Sequence, residues 1–420
     1  MGDDSTVLFV PSEGNPADEY FTGHDSESTR KMNRPLRIFY ADGPGAPRTP
    51  PKLLLLAAGY PSDTAHEIFL GWTIEPHSWL QEPNFKGTTL VAGYALTKPI
   101  NEGRVTALTM RLSAIGPFIE ANPPDIALIS GVPRGSGYAH GASVGSNDVL
   151  ARHSRLVVIE VDNESPDLGG PLIEGNIIAT ISRPPAGLTK SVTARPPDDI
   201  DALIGKRVVE LLPDEPTMQF GSGGFGDGIA ASIQRPISIW SGLATESMAQ
   251  LNARGLLTGP ITAAYAWGAD ALLHLAQSKM LRLVSVTETH DLTILSSKPR
   301  FVSCNTALQV SLDGDVNVER IGGRIIAPLG GHADFCTGAS RSVGGMSIIA
   351  VRSTTANGIS NIVNRCEVVS TARSDIQFVV TEHGVADLRD INDAERSRRL
   401  INIAAPEHRA MLATQREITF

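Results

Sequence analysis

The side chains most able to do chemistry stand beside a glycine pair in the second half of the sequence. His332 directly follows Gly330 and Gly331. The backbone N–H groups of such a pair can turn outward and stabilise an oxyanion, and an adjacent histidine can exchange a proton near neutral pH. The arrangement therefore predicts a site for a carbonyl compound. The alternative is a tight turn that needs glycine, followed by a structural histidine.

Three glycine clusters occur in this half of the chain: FGSGGFGDG (220–228), APLGGHADF (327–335) and SVGGMS (342–347). Each is predicted to follow a strand, where glycine lets the backbone approach a ligand closely. No GK[ST] triplet follows any of them, and the first lacks the spacing of a dinucleotide fingerprint, so neither a P-loop nor a dinucleotide site is predicted. Three clusters together favour a ligand site over isolated turns.

A stretch upstream of the last two clusters, PISIWSGLATESMAQL (236–251), predicts a strand that runs into a helix. Thr245 is suited to the N-cap of that helix and Glu246 to its first turn. Ligands of open α/β sheets bind at such strand-to-helix crossings. The strand nevertheless ends in the triplet WSG (240–242), whose serine has no recognisable neighbouring base. The chemistry at this crossing is therefore not evident from the residues alone.

Short β-branched runs alternate with helical patterns along the chain. This order, with nearly continuous apolar strands, predicts an α/β fold with mostly parallel sheets and helices on their faces. The proline-rich segment 182–199 is the predicted boundary between domains over 1–190 and 200–420. The predicted strands are 7–10, 36–40, 88–94, 125–130, 155–161, 176–181, 236–240, 282–286, 301–305, 323–328, 347–353, 367–371 and 376–382, and the predicted helices are 200–212, 245–254, 262–278 and 392–402.

Composition narrows the classes of partner. The 420 residues are 41% hydrophobic and 19% charged, which is typical of a folded chain with two domains. The net charge is −9 and no basic stretch could follow a phosphate backbone, so nucleic acid is not expected as a partner. Three cysteines without metal-ligand spacing predict reduced thiols and no metal site. Without a secretory start or a long apolar run, we expect a cytoplasmic protein with no membrane contact.

Longer motifs carry a resemblance to the acetyl-CoA hydrolase/transferase family, which contains acetate, butyryl and 4-hydroxybutyrate CoA-transferases. Three segments of this chain closely resemble the C-terminal half of the family's sequences. They are GGHADFCTGASRSVGGMSIIAVRST (330–354), TARSDIQFVVTEHGVADLRD (371–390) and RRLINIAAPEHRAML (398–412). Three further segments resemble the family's N-terminal half more loosely. They are INEGR (100–104), PPDIALISGVPRGSGYAHGASVG (123–145) and VVIEVDNESPDLGG (157–170).

The resemblance implies two related open α/β domains, with an acyl-CoA in the cleft between them and a homo-oligomeric assembly. It implies a coenzyme A thioester as substrate, a small carboxylic acid as acceptor, and no permanently bound cofactor. In the family a glutamate attacks the thioester and passes CoA on through a covalent glutamyl-CoA. A glycine loop holds the oxyanion, and Gly330 and Gly331 match its pair, although Pro328 stands at its first glycine.

The resemblance to the family also implies roles for further residues. Ser342, Gly344 and Gly345 match a second CoA-facing turn, in which Val343 replaces a common lysine. His332 stands where the family has glutamine. Glu102 lies in the NEGR segment on the family's substrate side. His332 and Glu102 are therefore candidate acids or bases.

Each of these candidates also has a structural interpretation. For Glu102 the alternative is an ion pair with Arg104, and for His332 it is a buried structural imidazole. His383, which replaces a family tyrosine, and His140 are lone histidines for which a structural role is favoured.

The nucleophile is the main departure from the family. There the strand ends in HTEM or HSEM, whose glutamate is catalytic, and a helix that opens with SDG follows. A gapless alignment places Gly242 at the glutamate and Thr245-Glu246 on the Ser-Asp pair. The competing alignment makes Glu246 the nucleophile, but it needs an insertion and a four-residue deletion that would rotate the helix face.

Three functions stay open on these grounds. The first is an ordinary CoA-transferase or acyl-CoA hydrolase with Glu246 as nucleophile. The second, which we favour, is an acyl-CoA enzyme without the covalent route, which hydrolyses a thioester or cleaves a carbon–carbon bond of a CoA-linked substrate. The third is a catalytically silent acyl-CoA-binding protein, which would explain the lost glutamate but not the retained glycine motifs.

Overall fold

The computed structural model describes residues 34–74, 77–183, 196–268 and 270–416, which divide into two compact units. Of these residues, the first unit takes those up to Met110, 114–183 and 283–285. The second unit takes 111–113, 196–268, 270–282 and 286–416. The predicted strand 7–10 and most of the predicted boundary segment 182–199 lie outside the described residues.

Strands and helices alternate in the order expected of an α/β chain. The strands up to Ser182 are β1 Leu36–Tyr40, β2 His66–Leu70, β3 Gly87–Thr89, β4 Val105–Ala107, β5 Ile126–Arg134, β6 Gly137–Ala139, β7 Leu156–Val161 and β8 Ile177–Ser182. The helices of this part are α1 Pro51–Ala57, α2 Thr97–Asn101, α3 Ile115–Ala121 and α4 Asn147–His153.

The same alternation continues from Asp199. The strands are β9 Thr217–Phe220, β10 Ser238–Ile239, β11 Leu243–Thr245, β12 Ile261–Ala263, β13 Tyr265–Trp267, β14 Leu281–Leu283, β15 Phe301–Thr306, β16 Gln309–Ser311, β17 Val316–Asn317, β18 Arg320–Ile321, β19 Arg324–Ile325, β20 Met346–Ala350, β21 Ile362–Val363, β22 Phe378–Thr381 and β23 Gly384–Asp387. The helices are α5 Asp199–Leu211, α6 Gly224–Ser232, α7 Glu246–Ala253, α8 Asp270–Gln277, α9 Val286–Thr289, α10 Leu292–Ser297, α11 His332–Arg341, α12 Asp393–Asn402 and α13 Pro406–Gln415.

An eight-stranded sheet forms the first unit, in the order β4-β3-β2-β1-β5-β7-β8 with β6 paired to β5. Every pairing is parallel except the one between β5 and β6. The central strand β5 begins with Ile126 to Ile129, all completely buried. A strand covered on both faces reads as a continuous apolar run, so the predicted parallel α/β character is confirmed here.

A six-stranded sheet, β10-β9-β15-β20-β22-β23, forms the centre of the second unit. Its pairings are parallel up to β22, and β23 returns antiparallel to β22. The strands β9, β15 and β20 carry buried side chains such as Phe220, Phe301 and Ile348. The carboxyl ends of β10, β9, β15 and β20 therefore meet along one edge of this sheet, where ligands of such folds bind.

Some predicted elements are wrong. The predicted helix 262–278 is β12, β13 and then the shorter helix α8, because the apolar run ITAAYAW has no period that separates a buried strand from a helix. The predicted strand 367–371 is irregular, and the Glu367 carboxylate accepts hydrogen bonds from the backbone N–H groups of Gly322 and Gly323, at 2.7 and 2.6 Å.

Two further differences concern the motif segments. The glycine cluster at 342–347 follows α11 rather than a strand, which corrects the expectation that all three clusters follow strands. The stretch 236–251 contains two short strands, β10 and β11, before α7 begins. Within the described ranges, no helix is long and apolar enough to cross a bilayer, and no group of three or more His, Cys, Asp or Glu side chains could hold a metal ion.

Candidate active site

A cavity of about 240 Å³ lies at the carboxyl ends of the neighbouring strands β9 and β15. Its wall joins the first glycine cluster, including Gly221 and Gly226, to the residues after β15 and to the segment that leads into α11. Two glycine clusters that lie far apart in the sequence therefore border one space. The described lining residues are uncharged at neutral pH, so the cavity is suited to an apolar group with a polar end.

His332 contributes the imidazole at this cavity. It is the first residue of α11 and is buried, with Nδ1 2.8 Å from Oγ1 of Thr371. Its Nε2 has no hydrogen-bond partner among the described residues. Burial lowers the pKa of His332 to about 4, and a backbone interaction with Thr306 opposes that shift. The imidazole is therefore neutral near pH 7 and able to accept a proton.

The glycine pair precedes His332 at the N-terminus of α11, a ten-residue helix. Gly330 has φ +55°, a left-handed conformation that strongly favours glycine. Gly331 is the N-cap residue of the helix. Amide groups at a helix N-terminus carry partial positive charge and point away from the helix body. This position suits an anion, and the contact of the pair with an oxyanion stays a prediction.

His290 lies against this pair and was not identified from the sequence. A Cβ atom built on Gly331 would lie 2.3 Å from Nε2 of His290, so the ring occupies the space next to Gly331 that any side chain would need. The imidazole is completely buried, and its centroid lies 4.5 Å from that of Phe335. Burial lowers the pKa of His290 to about 3. No motif spacing distinguishes this histidine, because its contacts are made only in the folded chain.

The same ring also faces Gly242. This glycine follows β10 at the edge of the sheet that carries the cavity, and a Cβ atom built on it would lie 3.2 Å from both Cε1 and Nε2 of His290. That distance is closer than ordinary contacts, so a side chain at position 242 would require the ring to move. Gly242, His290 and Gly331 are thus brought together in the second unit.

Comparison with known proteins relates the chain to acyl-CoA enzymes. Residues 268–416 match the model of the acetyl-CoA hydrolase/transferase C-terminal domain. The chain is 28% identical over 354 residues to the 4-hydroxybutyrate coenzyme A transferase of Clostridium kluyveri, covering 79% of this chain and 82% of that protein. It is 23% identical over 391 residues to the acetyl-CoA hydrolase of Schizosaccharomyces pombe, covering 76% and 73%. The chain is therefore similar to acyl-CoA transferases and hydrolases over most of its length.

The fold of the chain also matches solved structures. RipA from Yersinia pestis superposes with a TM-score of 0.80 at 22% identity, covering 93% of this chain and 96% of RipA. The fold class expected from the sequence, mixed α/β with mostly parallel sheets of the CoA-transferase type, is therefore confirmed.

Glu246, the alternative candidate nucleophile, stands at the start of α7. Thr245 precedes it in an extended conformation, as expected for an N-cap residue, and the Glu246 side chain is exposed. A Cβ atom built on Gly268 would lie 2.8 Å from its Cγ, so the carbon chain packs beside the segment that leads into α8. This position agrees with a first-turn acid at a helix N-terminus, and the nucleophile assignment stays a prediction.

Glu102 belongs to the first unit and is exposed. Its carboxylate accepts hydrogen bonds from Arg104 at 3.1 and 2.6 Å, and Lys98 lies 3.8 Å away. The hydrogen bond from Arg104 is the main cause of the lowered pKa of Glu102. The ion pair that the sequence analysis gave as the alternative interpretation is thus present, and a catalytic role for Glu102 stays a prediction.

Contacts within the protein account for the residue types in the second predicted CoA-facing turn. The Ser342 hydroxyl donates to the backbone carbonyl of Lys298 at 2.6 Å and accepts from the backbone N–H of Phe301 at 3.0 Å. Gly344 has φ +69°. A Cβ atom on Gly345 would lie 2.6 Å from the backbone carbonyl oxygen of Phe301. These contacts explain the turn without a ligand, and its contact with CoA stays a prediction.

The structure also describes His140, His383 and Ser241, for which the sequence favours no catalytic role. His140 is buried in the first unit, where burial lowers its pKa to about 4. His383 is exposed, with its Nε2 3.8 Å from a carboxylate oxygen of Glu382. The Ser241 hydroxyl is buried and lies 3.4 Å from the backbone carbonyl of Phe220.

The packing of His290 on the glycine pair gives a stability prediction. Gly331→Ala should lower the free energy of unfolding by about 2 kcal/mol, because the new methyl group overlaps the imidazole. Gly330→Ala is the matched control, since its Cβ meets open space and costs only about 1 kcal/mol of backbone strain. Urea unfolding followed by circular dichroism measures both variants.

A double-mutant cycle separates the two causes. In a His290→Ala background the cost of Gly331→Ala should fall by about 1 kcal/mol or more, whereas the cost of Gly330→Ala should not change. Equal coupling of both glycines to His290, or none for Gly331, would show that the ring does not restrict this position.

Proposed function

We propose that this protein cleaves an acyl-CoA or a related thioester by direct attack of water, without a glutamyl-CoA intermediate. The observation that carries the proposal is the packing of the His290 ring against Gly242, the position that the gapless alignment places at the family's nucleophile. Glycine supplies no carboxylate at this position, and a Cβ atom there would press on the His290 ring at 3.2 Å. The neutral imidazole of His332 at the cavity supports a role for a base instead.

The reaction balances as follows. The oxygen of water attacks the thioester carbonyl carbon, and the electron pair of the C=O π bond moves to the oxygen, which the amides of Gly330 and Gly331 stabilise. The proton that water loses goes to Nε2 of His332. When the C=O bond forms again, the C–S bond breaks, and His332 returns the proton to the CoA sulfur. The products are a carboxylic acid and free CoA.

The names of the relatives support acyl-CoA chemistry of two kinds. The Clostridium kluyveri protein is named a transferase and the Schizosaccharomyces pombe protein a hydrolase. Transfer through Glu246 to a small carboxylic acid therefore stays the alternative for this chain. Loss of a covalent nucleophile usually lowers the rate by several orders of magnitude, so transfer through position 242 is not proposed.

Thiol release is the first test. We expect the full chain to release free thiol from at least one member of a panel of short-chain, branched and β-keto acyl-CoAs, without any added carboxylate acceptor. Release that requires an acceptor acid would support transfer instead. A C–C cleavage is recognised by its two products, a shortened acyl-CoA and an acid, in mass spectrometry. No turnover of any thioester, with or without acceptor, would contradict the proposal.

Covalent trapping is the second test. The protein is incubated with the reactive acyl-CoA and then treated with borohydride or hydroxylamine, and the peptides are analysed by mass spectrometry. We expect no modified glutamate, with Glu246→Gln as the matched control that keeps size but lacks the nucleophile. An adduct on Glu246 that disappears in Glu246→Gln would establish the ordinary covalent route.

A further inference from the structure

The unexplained feature of the site is the Nε2 atom of His290. This atom is buried and has no hydrogen-bond partner among the described residues. Most buried polar atoms in native proteins are hydrogen-bonded, and leaving one unpaired costs free energy. Nε2 lies against both Gly242 and Gly331, next to the glycine pair to which an oxyanion role is assigned. Its position therefore suggests a partner that arrives with the substrate.

The opposite side of the ring is fixed by protein contacts. Nδ1 lies 2.8 Å from Oγ1 of Thr289, and the backbone carbonyl of Thr289 accepts a hydrogen bond from the Trp240 indole at 3.0 Å. If the Thr289 hydroxyl donates to Nδ1, the imidazole carries its proton on Nε2. Phe335 packs on the ring and limits its rotation.

We propose that His290 is a catalytic residue that donates a hydrogen bond from Nε2 to the thioester oxyanion beside Gly331. The inference rests on the proposed thioester cleavage and adds a side-chain donor to the backbone donors of the glycine pair. The donor stays neutral throughout the reaction, so no proton is transferred to or from His290. The developing negative charge on the carbonyl oxygen is the only change that the donor stabilises.

The chemistry favours donation over base catalysis at this position. Burial lowers the pKa of His290 to about 3, so the imidazole is neutral at neutral pH, and with its proton on Nε2 that atom can donate a hydrogen bond but not accept a proton. A neutral imidazole that polarises a carbonyl oxygen is an established catalytic use of a histidine with a lowered pKa. His332 and His290 thus differ in role, since His332 lines the cavity and accepts the water proton, whereas His290 contacts the glycine pair.

Three substitutions separate donation from packing. His290→Gln keeps an amide N–H near the position of Nε2, and His290→Met keeps comparable volume without a donor. His290→Asn places its amide near Nδ1, retains contact with Thr289, and lacks Nε2. With the acyl-CoA that the wild-type chain cleaves fastest, we expect the Met and Asn variants to lose about 10²–10³-fold in kcat with little change in KM. The Gln variant should stay within about tenfold of the wild type.

Circular dichroism and thermal unfolding establish whether each variant is folded. If the Met variant is unfolded, the Asn variant alone tests whether the Nε2 donor is needed. A folded Met or Asn variant with wild-type kcat overturns the inference. A Gln variant that loses as much kcat as the Met variant also overturns it, because a structural role would then suffice. If the wild-type chain releases no thiol, the proposed function and this inference fail together. If it does, the variants decide on His290 alone.

Discussion

Replacing His332 by asparagine is expected to lower kcat for thioester cleavage by about 10²–10⁴-fold, the usual contribution of a general acid–base group. Asparagine can keep the hydrogen bond that Nδ1 of His332 makes with Thr371, so the start of α11 should stay folded. It has no atom in the place of Nε2, the atom to which the proposed mechanism assigns the proton of water. The measurement is steady-state thiol release, with circular dichroism to verify the fold.

The pH profile gives the same prediction a second readout. Burial lowers the pKa of His332 to about 4, so the base is unprotonated throughout the neutral range and its activity is lost only as pH falls towards 4. We therefore expect kcat of the wild type to stay flat between pH 5 and pH 8. A decline centred near 6.5, the ordinary pKa of histidine, would show that a solvated histidine is the base.

The matched control is His383→Asn, the same substitution at an exposed histidine of the second unit. This variant should keep the wild-type kcat. Equal losses in the two variants would indicate a general effect on folding, and an unchanged His332→Asn variant would remove His332 from the mechanism.

The fold was predictable where one physical pattern dominates. The apolar run in β5 leaves no polar face, so only a strand covered on both sides accommodates it, and the parallel sheet follows. The helix α5 was equally predictable, because Asp198 caps it and Asp201 completes a capping box. The run 261–267 is apolar and rich in alanine, so a strand and a helix would bury the same surface. Its strand conformation is decided by the pairing of β12 with β14 and of β13 with β11, which lie elsewhere in the sequence.

Part of the candidate site was likewise predictable from local sequence, and part was not. The glycine pair and His332 are adjacent in sequence, so local pattern was enough to associate them. The contact of Gly242 and Gly331 with His290 joins three segments through the folded chain, and nothing in the TETH segment (287–290) indicates it. Such contacts bring together the segments that follow β10, follow α9 and precede α11, which no local period reports.

Restoring a glutamate at position 242 should fail in the present chain and succeed when His290 is removed. In Gly242→Glu the new Cβ would lie 3.2 Å from the ring of His290, so the side chain can enter only if the imidazole moves. We expect this variant to lose at least about tenfold in thioester hydrolysis and to form no glutamyl adduct. In Gly242→Glu/His290→Ala the ring is gone, and the carboxylate has room beside the amides of Gly331.

We expect the double variant to give a glutamyl-CoA adduct on the peptide that contains residue 242, detected by mass spectrometry after borohydride or hydroxylamine treatment. Gly242→Gln/His290→Ala is the matched control, because it has the same size and no nucleophile. If the single Gly242→Glu variant is labelled as strongly as the double one, the ring does not obstruct this position. If neither is labelled although both are folded, position 242 does not face the thioester, and the alignment that places the family's glutamate there is wrong.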